Sequence, residues 1–138
     1  MIRQATFDDM VRLDQIAREF FALHPLATLG VAFDGEAISR QVRAMIDAGG
    51  VFIGDKGAIG GMLSPVWFAP GSTVALELFW YGQGEGLALK RRFEQWAKES
   101  GAFAVVMSTL GREWDERTAR ILSKDGYEKS EQVWMKVV

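Results

Sequence analysis

Apolar positions recur every three or four residues through the first part of the chain. Met10, Leu13, Ile16, Ala17 and Phe20 fall on one helical face, so Phe7 to Leu23 is predicted to be an amphipathic helix. Thr6 can cap it, and Asp8 and Asp9 place acids in its first turn. Ile2 to Ala5 before it reads as a short strand. His24 to Asp34 carries Pro25 and Gly30 and reads as a loop, although Leu26, Leu29 and Val31 suggest that it packs down. Asp34 can cap a second helix with Ile38, Val42, Met45 and Ile46 buried, stopped by Gly49-Gly50. The pattern then changes to short apolar runs separated by turn residues. Val51 to Gly54 is a strand, Asp55-Lys56-Gly57 a hairpin turn and Ala58 to Phe68 the returning strand. Pro70-Gly71 reads as the next turn, and Thr73 to Tyr81 as a further strand. Helical spacing returns in Leu87 to Ser100, with Leu89, Phe93, Trp96 and Ala97 on one face and Gly101 at its end. Ala102 to Ser108 reads as a buried strand, Thr109 to Trp114 as a loop, and Asp115 to Lys124 as a helix closed by Gly126. Tyr127 to Val138 is expected to supply one or two closing strands. The predicted order is β-α-α-β-β-β-α-β-α-β(-β), an α/β chain with a mixed sheet and helices on both faces.

Length and composition narrow the chemistry. The 138 residues suit a single domain over 1–138, and no repeat or linker divides them. Sixteen Lys and Arg stand against eighteen Asp and Glu, so no basic excess points to nucleic acid. The chain has no cysteine, which excludes disulfides, thiolate nucleophiles and cysteine metal sites. The single histidine, His24, builds no metal cluster, and none is expected. No signal peptide or membrane-length apolar run is read, so the expected compartment is the cytoplasm. Trp67, Trp96, Trp114 and Trp134 read as core or rim aromatics, and Lys90-Arg91-Arg92 as a solvated helix face.

The most informative stretch is Phe79-Trp80-Tyr81-Gly82-Gln83-Gly84-Glu85-Gly86-Leu87-Ala88. An apolar strand runs into three alternating glycines and reopens as a helix. Such a junction gathers unpaired backbone N–H groups and the positive end of a helix dipole at one spot, which suits a phosphate or pyrophosphate. Glycines let an anion approach without a Cβ in the way. A tight strand-to-helix turn that needs positive φ accounts for one or two of these glycines, and less well for three. Within the strand, Val74, Leu76, Leu78 and Trp80 are expected to face one way, and Thr73, Ala75, Glu77, Phe79 and Tyr81 the other. Glu77 is thus a carboxylate inside an apolar strand. It reads either as a general base whose pKa burial raises, or as a structural partner of an Arg or Lys.

Gln83-x-x-Gly86-x-Ala88 resembles the [Q/R]-x-x-G-x-[G/A] pyrophosphate loop of the GNAT superfamily of acyl-CoA N-acyltransferases. Glu77 to Tyr81, the glycine loop and Phe93 to Ala102 look like the small members encoded by phages and prophages, Ala119 to Tyr127 resembles the family's fourth helix and its Gly-aromatic ending, and the element order is that of the GNAT fold. The resemblance implies an acetyl-CoA co-substrate and transfer to a small-molecule or peptide amine. It implies donor binding by Phe79, Trp80, Tyr81, Gln83, Gly84, Glu85, Gly86, Leu87 and Ala88. The family often places a glutamate base on this strand, which falls on Glu77. Three departures stand out. Only Gly82 separates strand from Gln83. Glu85 puts a carboxylate in the anion loop. The position where many members carry a tyrosine acid is Leu122, which leaves Tyr81 or water to protonate the departing thiolate. The alternative is a weak or inactive CoA-binding or assembly module of phage or bacterial origin. A homodimer is left open.

Overall fold

The computed structural model describes residues 1–110 and 115–138. Five strands form one sheet in chain order: β1 (Arg3–Gln4), β2 (Val51–Ile53), β3 (Ala58–Val66), β4 (Ala69–Tyr81) and β5 (Ala104–Val106). The first three junctions are antiparallel and β4 pairs β5 in parallel, so the sheet is mixed. On one face lie α1 (Met10–Leu23) and α2 (Gly35–Asp47), whose Leu13, Ile16, Val42 and Met45 pack on Val51, Ile53 and Ala58. On the other lies α3 (Gly86–Glu99), whose Leu89, Phe93, Trp96 and Ala97 pack on Phe52, Ile59 and Ala75. The helix α4 (Asp115–Lys124) follows β5 and has the predicted bounds. Sequence periodicity locates these helices because each buries one apolar stripe.

Local signals hold at the helix starts. Thr6 N–H donates to the Asp9 carboxylate at 2.9 Å, and Ala37 N–H to Asp34 at 3.0 Å. Arg3 grips Asp9 through two hydrogen bonds of 2.8 and 2.7 Å, which hold that carboxyl down at about 2. Residues 7–9 form a 3-10 turn rather than the first turn of α1, and Pro25–Leu29 form another inside the expected loop.

Five expectations fail. The β3–β4 turn is Trp67-Phe68, with Val66 opposite Ala69; Pro70-Gly71 belongs to an irregularity within β4, where a proline that cannot donate is equally at home. Trp67 and Trp134 are exposed rather than core or rim, whereas Trp96 is buried. No strand forms between Tyr127 and Val138; residues 128–138 run exposed. The strand β5 is mostly exposed because, among the described residues, nothing pairs its outer edge. Lys90 is not on a solvated face: it is 1 % exposed, bonded to Glu94 at 2.5 Å and to Asp125. Burial opposes its charge, but the two carboxylates outweigh it and raise its pKa, while Lys90 lowers that of Asp125. The loop expected over Thr109 to Trp114 lies outside the described residues from 111 onward, Trp114 included.

The face assignment along β4 also fails. Ala75 and Trp80 pack with α3, whereas Phe79 and Tyr81 pack with α1 and α2. Simple alternation cannot put Ala75 and Phe79 on opposite faces. The cause is a bulge: Gly61 pairs with Glu77 and Gly60 with Phe79, so Leu78 has no partner and turns outward, 42 % exposed. Gly60 and Gly61 permit it. A Cβ on Gly60 would lie 2.3 Å from the Phe79 ring, and one on Gly61 2.1 Å from the Leu76 carbonyl oxygen.

Candidate active site

The last β4–β5 pair is Leu76 with Val106, yet β4 continues to Tyr81. The two strands part there, and a cavity of about 960 Å³ opens at the gap. It is lined by Glu77, Trp80 and Tyr81 of β4, the loop 82–85, the start of α3 with Arg91, Ser108 after β5, and Asp115, Arg117, Thr118 and Ile121 of α4. Phe20, Leu23 and His24 close it from the end of α1.

Glu77 sits where the strands separate. It is 6 % exposed, and its Oε2 accepts the Ser108 N–H at 3.1 Å. The carboxylate thus takes a donor that β5 would otherwise offer to backbone. Burial pushes its pKa up to about 7, against the lowering effect of that single hydrogen bond. Of the two readings of Glu77, no Arg or Lys ion pair with it occurs among the described residues. Asp115, 5 % exposed, is a second carboxyl in the lining.

The glycine loop has the expected shape with one change of role. Gln83 and Gly84 adopt positive φ, 40° and 92°. Trp80 Nε1 donates to the Gly86 carbonyl at 3.1 Å and pins the start of α3 to β4. The first bond reaching back along α3 runs from Leu89 N–H to Glu85, so helix geometry leaves the N–H groups of Gly86, Leu87 and Ala88 without intrahelical partners. Glu85 is spent otherwise. Its N–H closes a turn onto Gly82 at 2.7 Å, and its carboxylate accepts from the N–H groups of Asp55, Lys56 and Gly57 at 3.1, 2.9 and 3.0 Å. The acid in the loop therefore faces the β2–β3 hairpin, and its repulsion of an anion is spent on three donors. Gln83 is turned similarly, donating from Nε2 to the Tyr81 hydroxyl at 2.7 Å.

Tyr81 lines the cavity but lies across the bulge from Ala75, on the α1–α2 face, not on the face shared by simple alternation with Glu77. The Glu19 carboxylate nearby raises its pKa, with burial adding and the Gln83 bond opposing. Leu122 is buried and does not line the cavity; Thr118 and Ile121 are the α4 residues that do. A tyrosine at 122 would have to enter the packed interior. Phe79 faces the first core and is absent from the lining; Leu87 and Ala88 are present in it. Sequence reasoning missed Phe20, Leu23, Ser108, Asp115, Arg117 and Thr118 as lining residues. It read His24 as a plain loop residue, whereas its Nδ1 accepts the Leu26 N–H at 3.1 Å.

No protein family model and no curated protein matches the sequence. Solved structures do. The aminoglycoside N-acetyltransferase AAC(6')-Iy in complex with CoA superposes with a TM-score of 0.68 at 15% identity, over 100% of this chain and 93% of its own. An acetyltransferase of Trypanosoma brucei gives 0.64 at 15% identity, over 100% and 99%. A transcriptional regulator from Bacillus halodurans gives 0.67 at 18% identity, again over 100% and 99%. Shared mixed-sheet topology over the whole length, at identities this low, speaks for architecture alone. The chain has the GNAT acetyltransferase fold.

Proposed function

We propose that this protein is an acyl-CoA-dependent N-acyltransferase, with acetyl-CoA as donor and a primary amine as acceptor. The observation that carries the reading is Glu77: a buried carboxyl held near neutrality, at the point where two strands separate into a cavity. A general base is most useful when its pKa lies near the working pH. The exposed backbone of β4 beyond Leu76 suits the amide groups of a pantetheine arm. The N–H groups of Gly86, Leu87 and Ala88, with Arg91 beside them, suit its pyrophosphate. The donor supplies an activated acyl group when bound. Glu77 takes the proton that the amine loses as it attacks, directly or through one water. Backbone N–H groups near Trp80 suit a role in polarising the acyl oxygen. Tyr81, Thr118 or water returns a proton to the leaving sulfur.

A second reading, a CoA-binding module without turnover, is favoured by one observation: α4 turns Ile121, not a tyrosine, to the cavity. A thermal-shift titration with acetyl-CoA followed by thiol release over a panel of amines separates them. Stabilisation with thiol release supports transfer. Stabilisation without release over the whole panel supports the module, and no stabilisation removes both.

A further inference from the structure

Helix α4 forms one wall of the cavity, yet little apolar surface holds it there. Of its ten residues only Asp115 and Leu122 are buried, and Leu122 belongs to neither of the two cores. One buried leucine is a weak fastening for a helix of that length. The stronger fastening is polar and lies at the far end. Gly126 takes a φ of 85°, and Tyr127 N–H reaches back to the Leu122 carbonyl at 3.0 Å. This ending carries Asp125 and Tyr127 as fixed extensions of α4. Both meet α3. The Asp125 carboxylate takes Lys90 Nζ, and the Tyr127 hydroxyl donates to Glu94 Oε1 at 2.6 Å. The same Glu94 oxygen accepts Lys90 Nζ at 2.5 Å, and that ammonium lies 5.3 Å from the centre of the Tyr127 ring. Three side chains thus converge on one cation.

The burial of Lys90 makes the arrangement exacting. Water cannot replace a carboxylate that leaves it, so a shift of α4 that parted Asp125 from Lys90 would strand a buried charge with half its compensation. The same movement would take Tyr127 from Glu94. Charge-assisted hydrogen bonds have direction, whereas apolar contacts let a helix slide. The clamp also stands beside the site. Leu87, Ala88 and Arg91 of α3 line the cavity, and so do Arg117, Thr118 and Ile121 of α4. Asp125 N–H bonds to the Ile121 carbonyl at 3.1 Å, so the α4 wall is one turn from the clamp. Burial and then Glu94 raise the pKa of the Tyr127 phenol, and the charge of Glu77 adds to them, so clamp and proposed base lie near each other.

We propose that Lys90, Glu94, Asp125 and Tyr127 are positioning residues for the donor site: they fix the α4 wall at the distance from α3 that the thioester arm of an acyl-CoA requires. This rests on the acyltransferase reading above. The clamp lines no part of the cavity; it acts through Arg117, Thr118 and Ile121. Loosening it widens the cleft, and the first effect is on the grip of the donor.

The test uses the full chain and three variants. Tyr127→Phe removes only the clamp hydroxyl. Asp125→Asn removes a charge that is half in water, and Tyr127→Phe decides alone if this variant does not fold. Val42→Ala thins the α1–α2 core and controls for lost stability, which lowers a melting temperature without changing the affinity of molecules that stay folded. Acetyl-CoA dissociation constants from isothermal titration, and amide exchange over 115–124 without ligand, are measured on all four chains. In both clamp variants the dissociation constant is expected to rise about tenfold and the α4 amides to exchange faster. Val42→Ala is expected to melt earlier and to bind as wild type does. Clamp variants that bind acetyl-CoA like wild type overturn the proposal alone, whether or not α4 exchange quickens. So does a loss of affinity that Val42→Ala matches. A wild-type chain with no affinity for acetyl-CoA overturns the acyltransferase reading, and the proposal with it.

Discussion

Replacing Glu77 with glutamine is expected to slow the protein and to stabilise it, and the second effect is the sharper test. In the native state the carboxyl titrates at about 7, against an ordinary value of 4.5. Between those values the unfolded chain has released its proton and the native chain has kept it. Stability therefore falls as pH rises through this window: the contribution is present below about 4.5 and is lost by the time pH has passed 7. At about 1.36 kcal/mol per pH decade the cost is about 3 kcal/mol once Glu77 is ionised. Glutamine carries no such charge. Its side-chain oxygen still accepts the Ser108 N–H, so the hydrogen bond in the gap survives. Urea unfolding of both proteins across pH 5 to 8.5 isolates the effect, because every other titrating group cancels in the difference. The variant is expected to gain about 2.5 kcal/mol on wild type from the acid to the alkaline end. In parallel, wild-type kcat/KM is expected to rise with pH through an apparent pKa near 7, and the variant to be slower by about 10²–10⁴-fold. A difference in stability that stays flat with pH would show that Glu77 is not held near neutrality, and the base assignment would fall with it.

Glu85→Ala removes the acceptor of three N–H groups in the 55–57 turn and is expected to cost about 1–2 kcal/mol, discounted for the turn's exposure, with weaker acetyl-CoA binding; thermal melts and a titration read both. Gly82→Ala places a Cβ 2.8 Å from the Gly86 Cα and is expected to weaken acetyl-CoA binding while the core still folds, read by thermal shift with and without ligand. Lys90→Met leaves Glu94 and Asp125 without their cation and is expected to destabilise by about 2–4 kcal/mol in urea, since the lysine is buried although Asp125 is half in water. Tyr81→Phe keeps the ring and loses the hydroxyl; because that hydroxyl is already engaged by Gln83, turnover is expected to drop by less than about tenfold, and a larger loss would make Tyr81 the proton donor.

Helices were legible because each buries a stripe that the sequence displays every three or four residues, and α4 is recovered to the residue. The order of strands followed from turn signals. The site was legible where its chemistry is local: a glycine run between strand and helix, and one carboxylate in an apolar strand. It was not legible where the partner is remote in sequence. Glu85 meets a turn thirty residues earlier, and Lys90 meets Asp125 just past the end of α4, so neither side chain's direction is written near it. The bulge had a signal that went unread: Gly60-Gly61 inside a strand pattern marks such a kink. Pro70-Gly71 failed in the opposite sense, because the same pair suits a turn or an irregular strand. The tail failed because strand composition alone does not make a strand; a segment must also dock on an edge, and residues 128–138 do not.

The parting of β4 from β5 has a consequence for the protein without its ligands. A sheet gains cooperativity from every junction between neighbours, and here it forgoes several in the middle of the molecule. Beyond Leu76, backbone on the side of β4 that a longer β5 would lock is left to exchange its hydrogens with water. Those amides are expected to be the least protected in an otherwise well-paired strand, and a bound donor to protect them before any distant part of the chain. Occupancy then enters the folding free energy itself, by about 2.7 kcal/mol when ligand exceeds its dissociation constant about 100-fold. On the proposed reading, the site is a place where stability has been left incomplete for the donor to complete.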